Sequence, residues 1–120
     1  MGIKFHLSFI SIFKLKDMTN INKKNTEDKF LSDNLVSIII LNYNAGDLLI
    51  DCVSSILKSH HKNFEIILVD NISKDNSHKK CKEKFPSINL IENSENLGYC
   101  EGNNVGLRKA HGQFIAVLNP

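Results

Sequence analysis

The strongest constraint on the fold is an alternation of short apolar runs with helix-like segments that begins at residue 35. Residues 35–41 form a β-branched run between polar residues, which predicts a strand buried on both faces. Residues 47–60 then carry apolar side chains at spacings of one, three and four, which predicts a helix with one apolar stripe. Two further strand–helix cycles and a last strand predict an α/β fold with a mostly parallel sheet and helices on both faces.

The later elements are predicted from the same signals. Strands are expected at 64–69, 88–91 and 114–118, with a polar helix running to about residue 84 before Pro86 and another helix over 99–110. Because the carboxyl ends of parallel strands meet at one edge of the sheet, the loops that follow the strands are where a ligand is expected to bind. With only four strands predicted, we also expect exposed apolar surface and an open strand edge.

Length and composition narrow the class of protein. The 120 residues fit one domain, and the formal charge of +2 comes from dispersed lysines and arginines, without the basic stripe that predicts nucleic-acid binding. The three cysteines are widely spaced, so neither a disulfide framework nor a zinc knuckle is indicated. We therefore expect no nucleic-acid partner and a cytoplasmic location, with or without peripheral contact at the inner face of the membrane.

Residues 1–34 differ in amino-acid composition and pattern from the remainder of the chain. An apolar patch interrupted by Ser8, Ser11 and Lys14 precedes a tract rich in asparagine and lysine. The interruptions argue against a signal peptide, and the patch is shorter than the roughly 20 apolar residues of a transmembrane helix. The segment is predicted to be a polar leader, either disordered or weakly amphipathic, and residues 35–120 to be the folded domain.

The loops after the strands carry an unusual number of polar side chains. Tyr43 lies between two asparagines, and Asp70 and Asn71 follow the second strand. A tyrosine flanked by amides can stack on a planar base while amides and a carboxylate bind its edge. The alternatives are that the asparagines serve as turn residues and that Asp75 caps the next helix. For Gly98 and the glycines after it, close packing and room for a sugar or phosphate both remain open.

Three blocks of sequence resemble the family 2 glycosyltransferases, particularly a rhamnosyltransferase-like branch. These are residues 36–44 (Val-Ser-Ile-Ile-Ile-Leu-Asn-Tyr-Asn), residues 65–77 (Glu-Ile-Ile-Leu-Val-Asp-Asn-Ile-Ser-Lys-Asp-Asn-Ser), and the series Asn-Leu-Gly at 96, Asn-Val-Gly at 104 and Leu-Asn-Pro at 118. The resemblance covers residues 35–120. It implies the N-terminal, nucleotide-sugar-binding half of a GT-A fold, a Rossmann-like sheet truncated after its fourth strand.

The resemblance also implies which residues bind the nucleotide sugar. Tyr43 and its neighbours would pack on the base, and Asp70 would hold the uracil or thymine edge of a UDP- or dTDP-linked donor. Asn71 stands where many relatives have a second aspartate. The residues implied in nucleotide-sugar binding are Asn42, Tyr43, Asn44, Asp70, Asn71, Asp75, Gly98 and Asn104.

The metal and catalytic groups of the family are expected beyond the matched blocks. The resemblance implies an Asp-x-Asp-type motif that holds Mg or Mn against the diphosphate, and Asn119 would begin it. A carboxylate base for the acceptor would follow in the second half. The implied function is transfer of a sugar to a saccharide or lipid-linked acceptor in cell-envelope polysaccharide synthesis. We expect these 120 residues alone to bind no metal, to contain no catalytic residue and to be an inactive fragment.

Other classes of protein fit the sequence less well. A dinucleotide-binding dehydrogenase would need a G-x-G-x-x-G turn after the first strand, where residues 42–46 have another sequence. A phosphoacceptor module could use Asp70 at its strand end. The main alternative is a non-catalytic nucleotide-binding or protein-interaction remnant that uses the same surface.

Overall fold

The computed structural model describes residues 10–14 and 32–120 of the chain. Five strands and three helices are found in these residues. In chain order they are β1 (Ile10–Lys14), β2 (Ser32–Asn42), α1 (Asp47–Leu57), β3 (Phe64–Asp70), α2 (Ser77–Lys84), β4 (Asn89–Glu92), α3 (Gly98–Leu107) and β5 (Gly112–Leu118).

The strands form one sheet in the order β1-β5-β2-β3-β4. β2 lies at the centre and pairs in parallel with both β3 and β5, and β4 continues the parallel part beyond β3. The register places Asn42 opposite Asp70 and Asp70 opposite Glu92, so three polar residues line up where β2, β3 and β4 end. The predicted α/β fold with a mostly parallel sheet is confirmed.

β1 was not predicted. It lies within the segment 1–34 that the sequence indicated as a disordered or weakly amphipathic leader, and it pairs antiparallel with β5, with Ile10 opposite Leu118. The pairing satisfies backbone groups of β5 that would otherwise be exposed, so this side of β5 is covered. β2 also begins earlier than expected, at Ser32. The remainder of the predicted leader, residues 1–9 and 15–31, lies outside the described residues.

The two faces of the sheet carry separate apolar clusters. Ile38 and Ile40 of β2 pack in a cluster that includes Leu49 and Val53 of α1, whereas Ile39 lies in the cluster on the opposite face beside α3. Successive side chains of a strand point to opposite faces, so a strand covered on both sides needs an uninterrupted apolar run. The prediction that β2 is buried on both faces is confirmed.

α3 packs against the sheet through two glycines. A Cβ atom on Gly102 would lie 2.6 Å from Cδ1 of Leu41, and one on Gly106 would lie 2.6 Å from Cγ2 of Ile39. Such distances are too short for a real side chain, so glycine is required for this close approach. The sequence allowed two explanations for these glycines, close packing or room for a sugar or phosphate. The structure shows close packing at Gly102 and Gly106.

Two helices end one turn earlier than the sequence predicted. α1 ends at Leu57, where the amides of Lys58 and Ser59 bond to carbonyls three residues back. α3 ends at Leu107, followed by similar three-residue bonds from Lys109 and Ala110. These tighter bonds replace the α-helical pattern at the helix ends.

Candidate functional site

An open cleft of about 430 Å³ lies at the carboxyl end of the parallel strands. It is enclosed by the residues that follow β2 and β3, by the start of α3 and by the two residues after β5. The residues that line it are Leu41, Tyr43, Ala45, Asn71, Asn96, Gly98, Tyr99, Asn119 and Pro120. The lining side chains are aromatic rings, amides and apolar groups, with no acidic or basic side chain among them.

Two tyrosines supply the aromatic surface of the cleft. Tyr43 follows β2 directly and is 55% exposed, while Tyr99 is the second residue of α3 and is 45% exposed. Large aromatic side chains are usually more deeply buried unless they have a partner to contact. The sequence predicted a role for Tyr43 but not for Tyr99, although Tyr99 directly follows the predicted site residue Gly98.

Asn71 presents an amide to the cleft in a fixed orientation. The side chain is only 2% exposed; its Oδ1 accepts a hydrogen bond of 2.8 Å from Nδ2 of Asn93, and its Nδ2 donates one of 3.1 Å to the carbonyl of Gly98. A carbonyl can only accept, so Nδ2 must face Gly98. One N–H of Nδ2 and one lone pair of Oδ1 have no hydrogen-bond partner among the described residues.

Asn42 and Asp70 form a buried pair that does not line the cleft. Nδ2 of Asn42 donates to Oδ1 of Asp70 at 2.8 Å and also contacts the hydroxyls of Ser73 and Ser77. Asp70 is 1% exposed, and its two oxygens further accept from the amide and the hydroxyl of Ser73. The carboxylate predicted to hold the edge of the base is therefore engaged by protein donors. Oδ1 of Asn42 is buried and has no hydrogen-bond partner.

His78 lies beside this pair and is 4% exposed. Its Nε2 is 3.0 Å from Oε1 of Glu92, and its Nδ1 is 3.5 Å from Oδ1 of Asp70. The second contact is too long and too poorly aligned to count as a hydrogen bond, so we treat it as electrostatic. The imidazole thus stands between the carboxylates that end β3 and β4.

Asn44 and Asp75 connect the two loops that precede α1 and α2. The amide of Lys74 donates to Oδ1 of Asn44 at 2.7 Å, and the amide of Gly46 donates to Oδ2 of Asp75 at 2.9 Å. The hydroxyl and amide of Ser77 both donate to Oδ1 of Asp75. The hydroxyl of Ser77 is the main cause that lowers the pKa of Asp75 below its ordinary value of 3.8. Both residues therefore brace the loops.

The predicted site residues thus occupy four different positions. Tyr43, Asn71 and Gly98 line the cleft, Asn42 and Asp70 lie in the buried network, Asn44 and Asp75 brace the loops, and Asn104 lies elsewhere. Asn104 is exposed on α3, where its Nδ2 donates to Glu101 on the same helix. The roles expected for these residues in nucleotide binding stay predictions.

The described residues contain no cluster of several metal-ligating side chains. In residues 10–14 and 32–120, no group of three or more histidine, cysteine, aspartate or glutamate side chains is placed to hold one. Where the cleft ends, the side chain of Asn119 is a neutral amide. Within the same part of the chain, no helix is long and apolar enough to span a bilayer.

The fold matches the GT-A fold of solved structures. Two crystal structures of TarS from Staphylococcus aureus superimpose on 70% of this chain with a TM-score of 0.64, at 22% and 25% sequence identity. The match covers 16% and 26% of those chains. At this level of identity the likeness concerns the fold.

The sequence itself identifies the family. Residues 37–120 match the family model for glycosyl transferase family 2, and the chain belongs to that family. The rhamnosyltransferase-like branch suggested by the sequence is not specified by this match and stays a prediction.

Relatives similar in sequence include several bacterial glycosyltransferases. The chain is 38% identical over 90 residues to the UDP-Glc:alpha-D-GlcNAc-diphosphoundecaprenol beta-1,3-glucosyltransferase WfgD of Escherichia coli, which covers 74% of this chain. It is 36% identical to the glycosyltransferase GlyG of Streptococcus pneumoniae and 35% to the putative teichuronic acid biosynthesis glycosyltransferase TuaG of Bacillus subtilis, each over 71% of this chain. The matches cover 29–36% of these three relatives, so the chain spans about a third of their length.

Proposed function

We propose that the cleft binds the nucleoside diphosphate part of a UDP- or dTDP-linked sugar. The observation that carries this proposal is an uncharged cleft at the carboxyl end of a parallel sheet, where two half-exposed tyrosines accompany the oriented amide of Asn71. Tyr43 and Tyr99 offer ring faces for a base, and stacking of a base on an aromatic ring contributes about 1–3 kcal/mol.

The amide of Asn71 fits the edge of a pyrimidine such as uracil or thymine. Such a base presents a ring N–H beside a carbonyl oxygen, and Asn71 has one acceptor and one donor left after its bonds to Asn93 and Gly98. We therefore assign the base contact to Asn71. Asp70 supports it from the buried layer beneath, where its carboxylate is already bound by Asn42 and Ser73.

We propose that the protein takes part in sugar transfer in cell-envelope polysaccharide synthesis. Support comes from the relatives: WfgD is named for a glucosyl transfer from UDP-Glc to a lipid-linked sugar, and TuaG for teichuronic acid biosynthesis. We propose a saccharide or lipid-linked acceptor for the same reason. A cytoplasmic location is supported by Cys52, Cys81 and Cys100, all of which are free thiols.

Calorimetric titration of the chain with UDP and dTDP tests the nucleotide site. We expect saturable binding that Tyr43→Ala weakens at least about fivefold, because the variant loses a stacking surface. Leu57→Ala is the matched control, since Leu57 is also a partly exposed large residue but lies at the far end of α1 and does not line the cleft. Equal affinity in both variants would exclude the tyrosine face as the binding surface.

The same titration, repeated with Mn, tests the metal requirement. Because the cleft is lined by neutral groups, we propose that the described residues hold the nucleotide without a metal ion, and we expect the dissociation constant to change less than twofold. A large gain in nucleotide affinity with Mn would show that the chain has metal-ligating groups that the proposal omits. No binding of either nucleotide to the folded chain would favour the alternative of a protein-interaction remnant.

A further inference from the structure

His78 is the only buried histidine among the residues that the structure describes. It belongs to α2, whose buried residues are Ser77, His78 and Cys81, so little apolar surface anchors the start of this helix. His60, His61 and His111 are exposed. A buried imidazole needs polar partners on both ring nitrogens, and the partners of His78 identify its role.

Both ring nitrogens of His78 face carboxylates. Glu92 lies 3.0 Å from Nε2 and Asp70 lies 3.5 Å from Nδ1, and these are the charged groups in contact with the ring in the described chain. Only an imidazolium carries a hydrogen on each nitrogen, so only the protonated ring can attract both carboxylates. The other partners of the Asp70 carboxylate are neutral donors, and a buried charge is costly unless an opposite charge is near.

Asp70 and Glu92 end neighbouring strands. The residue after Asp70 lines the cleft, and the residue after Glu92 holds that residue in place. Asp70 and Glu92 are partners in the β3–β4 register. Asn71 and Asn93 follow them, and Nδ2 of Asn93 donates to Oδ1 of Asn71. Asn71 in turn donates to the carbonyl of Gly98. A continuous set of contacts therefore leads from the imidazole to the amide that faces the cleft.

We propose that His78 is a positioning residue for the nucleotide, because its imidazolium ties the ends of β3 and β4 together and so fixes the amide of Asn71. The inference rests on the proposed nucleotide site but assigns a role to a residue that does not touch the ligand. It carries a consequence for pH. A neutral ring carries one N–H instead of two, so it would attract only one of the two carboxylates and hold the ends of the strands less firmly.

The test measures UDP affinity at pH 5.5 and at pH 8. The variant is His78→Gln, which can still hydrogen-bond but cannot carry charge, and the control is Lys79→Gln, which removes a charge from the exposed neighbour on α2. We expect the wild-type chain to bind UDP about fivefold more tightly than His78→Gln at pH 5.5 and about equally at pH 8. Because the ratio of the two affinities is compared, the ionisation of UDP itself cancels.

A second measurement needs no nucleotide. The backbone amide resonance of Gly98, followed by NMR in the free protein, should move with pH in the wild-type chain and in Lys79→Gln but remain fixed in His78→Gln. A purely structural role predicts instead a lower melting temperature for His78→Gln with an unchanged affinity ratio at every pH.

The outcomes separate the two proposals. Equal pH profiles for wild type and His78→Gln, in affinity and at Gly98, would overturn the role of His78 and leave the nucleotide site intact. No binding of UDP or dTDP by the wild-type chain would overturn the proposed function. The Gly98 resonance would then decide alone whether His78 controls the geometry of the cleft wall.

Discussion

The two ends of the parallel sheet satisfy their buried polar groups to different degrees. At the amino end, the hydroxyl of Ser37 and the backbone amide of His111 donate to the carboxylate of Glu65, and the amide of Gly112 donates to the hydroxyl of Ser37. At the carboxyl end, Oδ1 of Asn42 and Nδ1 of His78 are buried without hydrogen-bond partners.

This difference separates a part of the molecule that supports stability from a part arranged for a ligand. An unsatisfied buried polar atom costs about 1–3 kcal/mol, so such atoms are rare in native proteins and tend to occur where function requires a particular arrangement. The clamp around Glu65 joins β2, β3 and β5 and lies far from the cleft. The network of Asn42, Asp70 and His78 beneath the cleft contains unsatisfied polar atoms that lower stability, and it lies next to Asn71 and to the loops before α1 and α2.

The largest expected effect comes from adding a charge to the network. In Asn42→Asp, a carboxylate oxygen would replace the amide nitrogen that lies 2.8 Å from Asp70, so two buried carboxylates would face each other. We expect the free energy of unfolding at pH 7 to fall by about 3–5 kcal/mol, measured by urea denaturation. The loss should be smaller at pH 5, because the pair can share a proton.

Asn89→Asp is the control for this substitution. Asn89 is exposed at the start of β4, so the same chemical change there should alter stability by no more than about 0.5 kcal/mol. If Asn42→Asp were equally mild, the buried network would not be the tightly packed unit described above.

Glu65→Gln tests the satisfied end of the sheet. Partial burial opposes ionisation of Glu65, but the hydrogen bonds from Ser37 and His111 outweigh it and hold the pKa of this carboxyl below its ordinary 4.5. We expect Glu65→Gln to lower the free energy of unfolding by about 1–3 kcal/mol at pH 7, since bonds to a charged acceptor are replaced by bonds to a neutral one. UDP affinity should not change.

The pH dependence of that loss has a defined sign. A pKa that is lower in the folded state stabilises the protein above the unfolded value, and this contribution disappears as the pH falls below about 4.5 toward the folded pKa. The stability difference between wild type and Glu65→Gln should therefore be constant at neutral pH and shrink in acid. A difference that grew in acid would contradict the clamp.

The smallest effect is expected at Asp75, in a loop above the network. Asp75→Asn retains one oxygen for Ser77 and loses the acceptor for the amide of Gly46. We expect a loss of less than about 1 kcal/mol at pH 7. Because the pKa of Asp75 is also lowered, this loss should fade as the pH drops below 3.8. A loss as large as that of Glu65→Gln would mean that the loop braces carry more of the stability than the contacts suggest.

The structure confirms most of the predicted elements, whereas only Tyr43, Asn71 and Gly98 of the predicted site residues line the cleft. Periodicity is a local signal, so the buried strands β2 and β3 and the apolar stripe of α1 could be recognised from the sequence. The predicted ends of α1 and α3 were too late by three residues, because the bonds that end these helices are seen only in the folded chain. β1 was missed because Ser11 and Lys14 interrupt its apolar pattern and its partner strand lies at the other end of the sequence.

The site was harder to predict because neighbouring residues separate into different layers. Asp70 and Asn71 are adjacent in sequence, yet the first points into the buried network and the second lines the cleft. Strand-end chemistry suggested the charged residue as the ligand contact, whereas alternation along the strand decides which of the two faces the cleft. Tyr99 was not singled out from the sequence, although it directly follows the Asn-Leu-Gly series at 96, because its position beside the cleft depends on the turn between β4 and α3.

The pairing of β1 with β5 has a consequence for the order in which the molecule is assembled. Ile10 precedes its partner Leu118 by almost the whole described chain, and β5 also completes the centre of the sheet by joining β2. During synthesis β1 leaves the ribosome before every other described element, whereas its partner β5 follows all the other described elements. Contacts between residues so distant in sequence form slowly, because a long loop must close first. The edge of β5 should therefore be protected late in folding, and the protein should be most prone to aggregation in the interval before β1 docks.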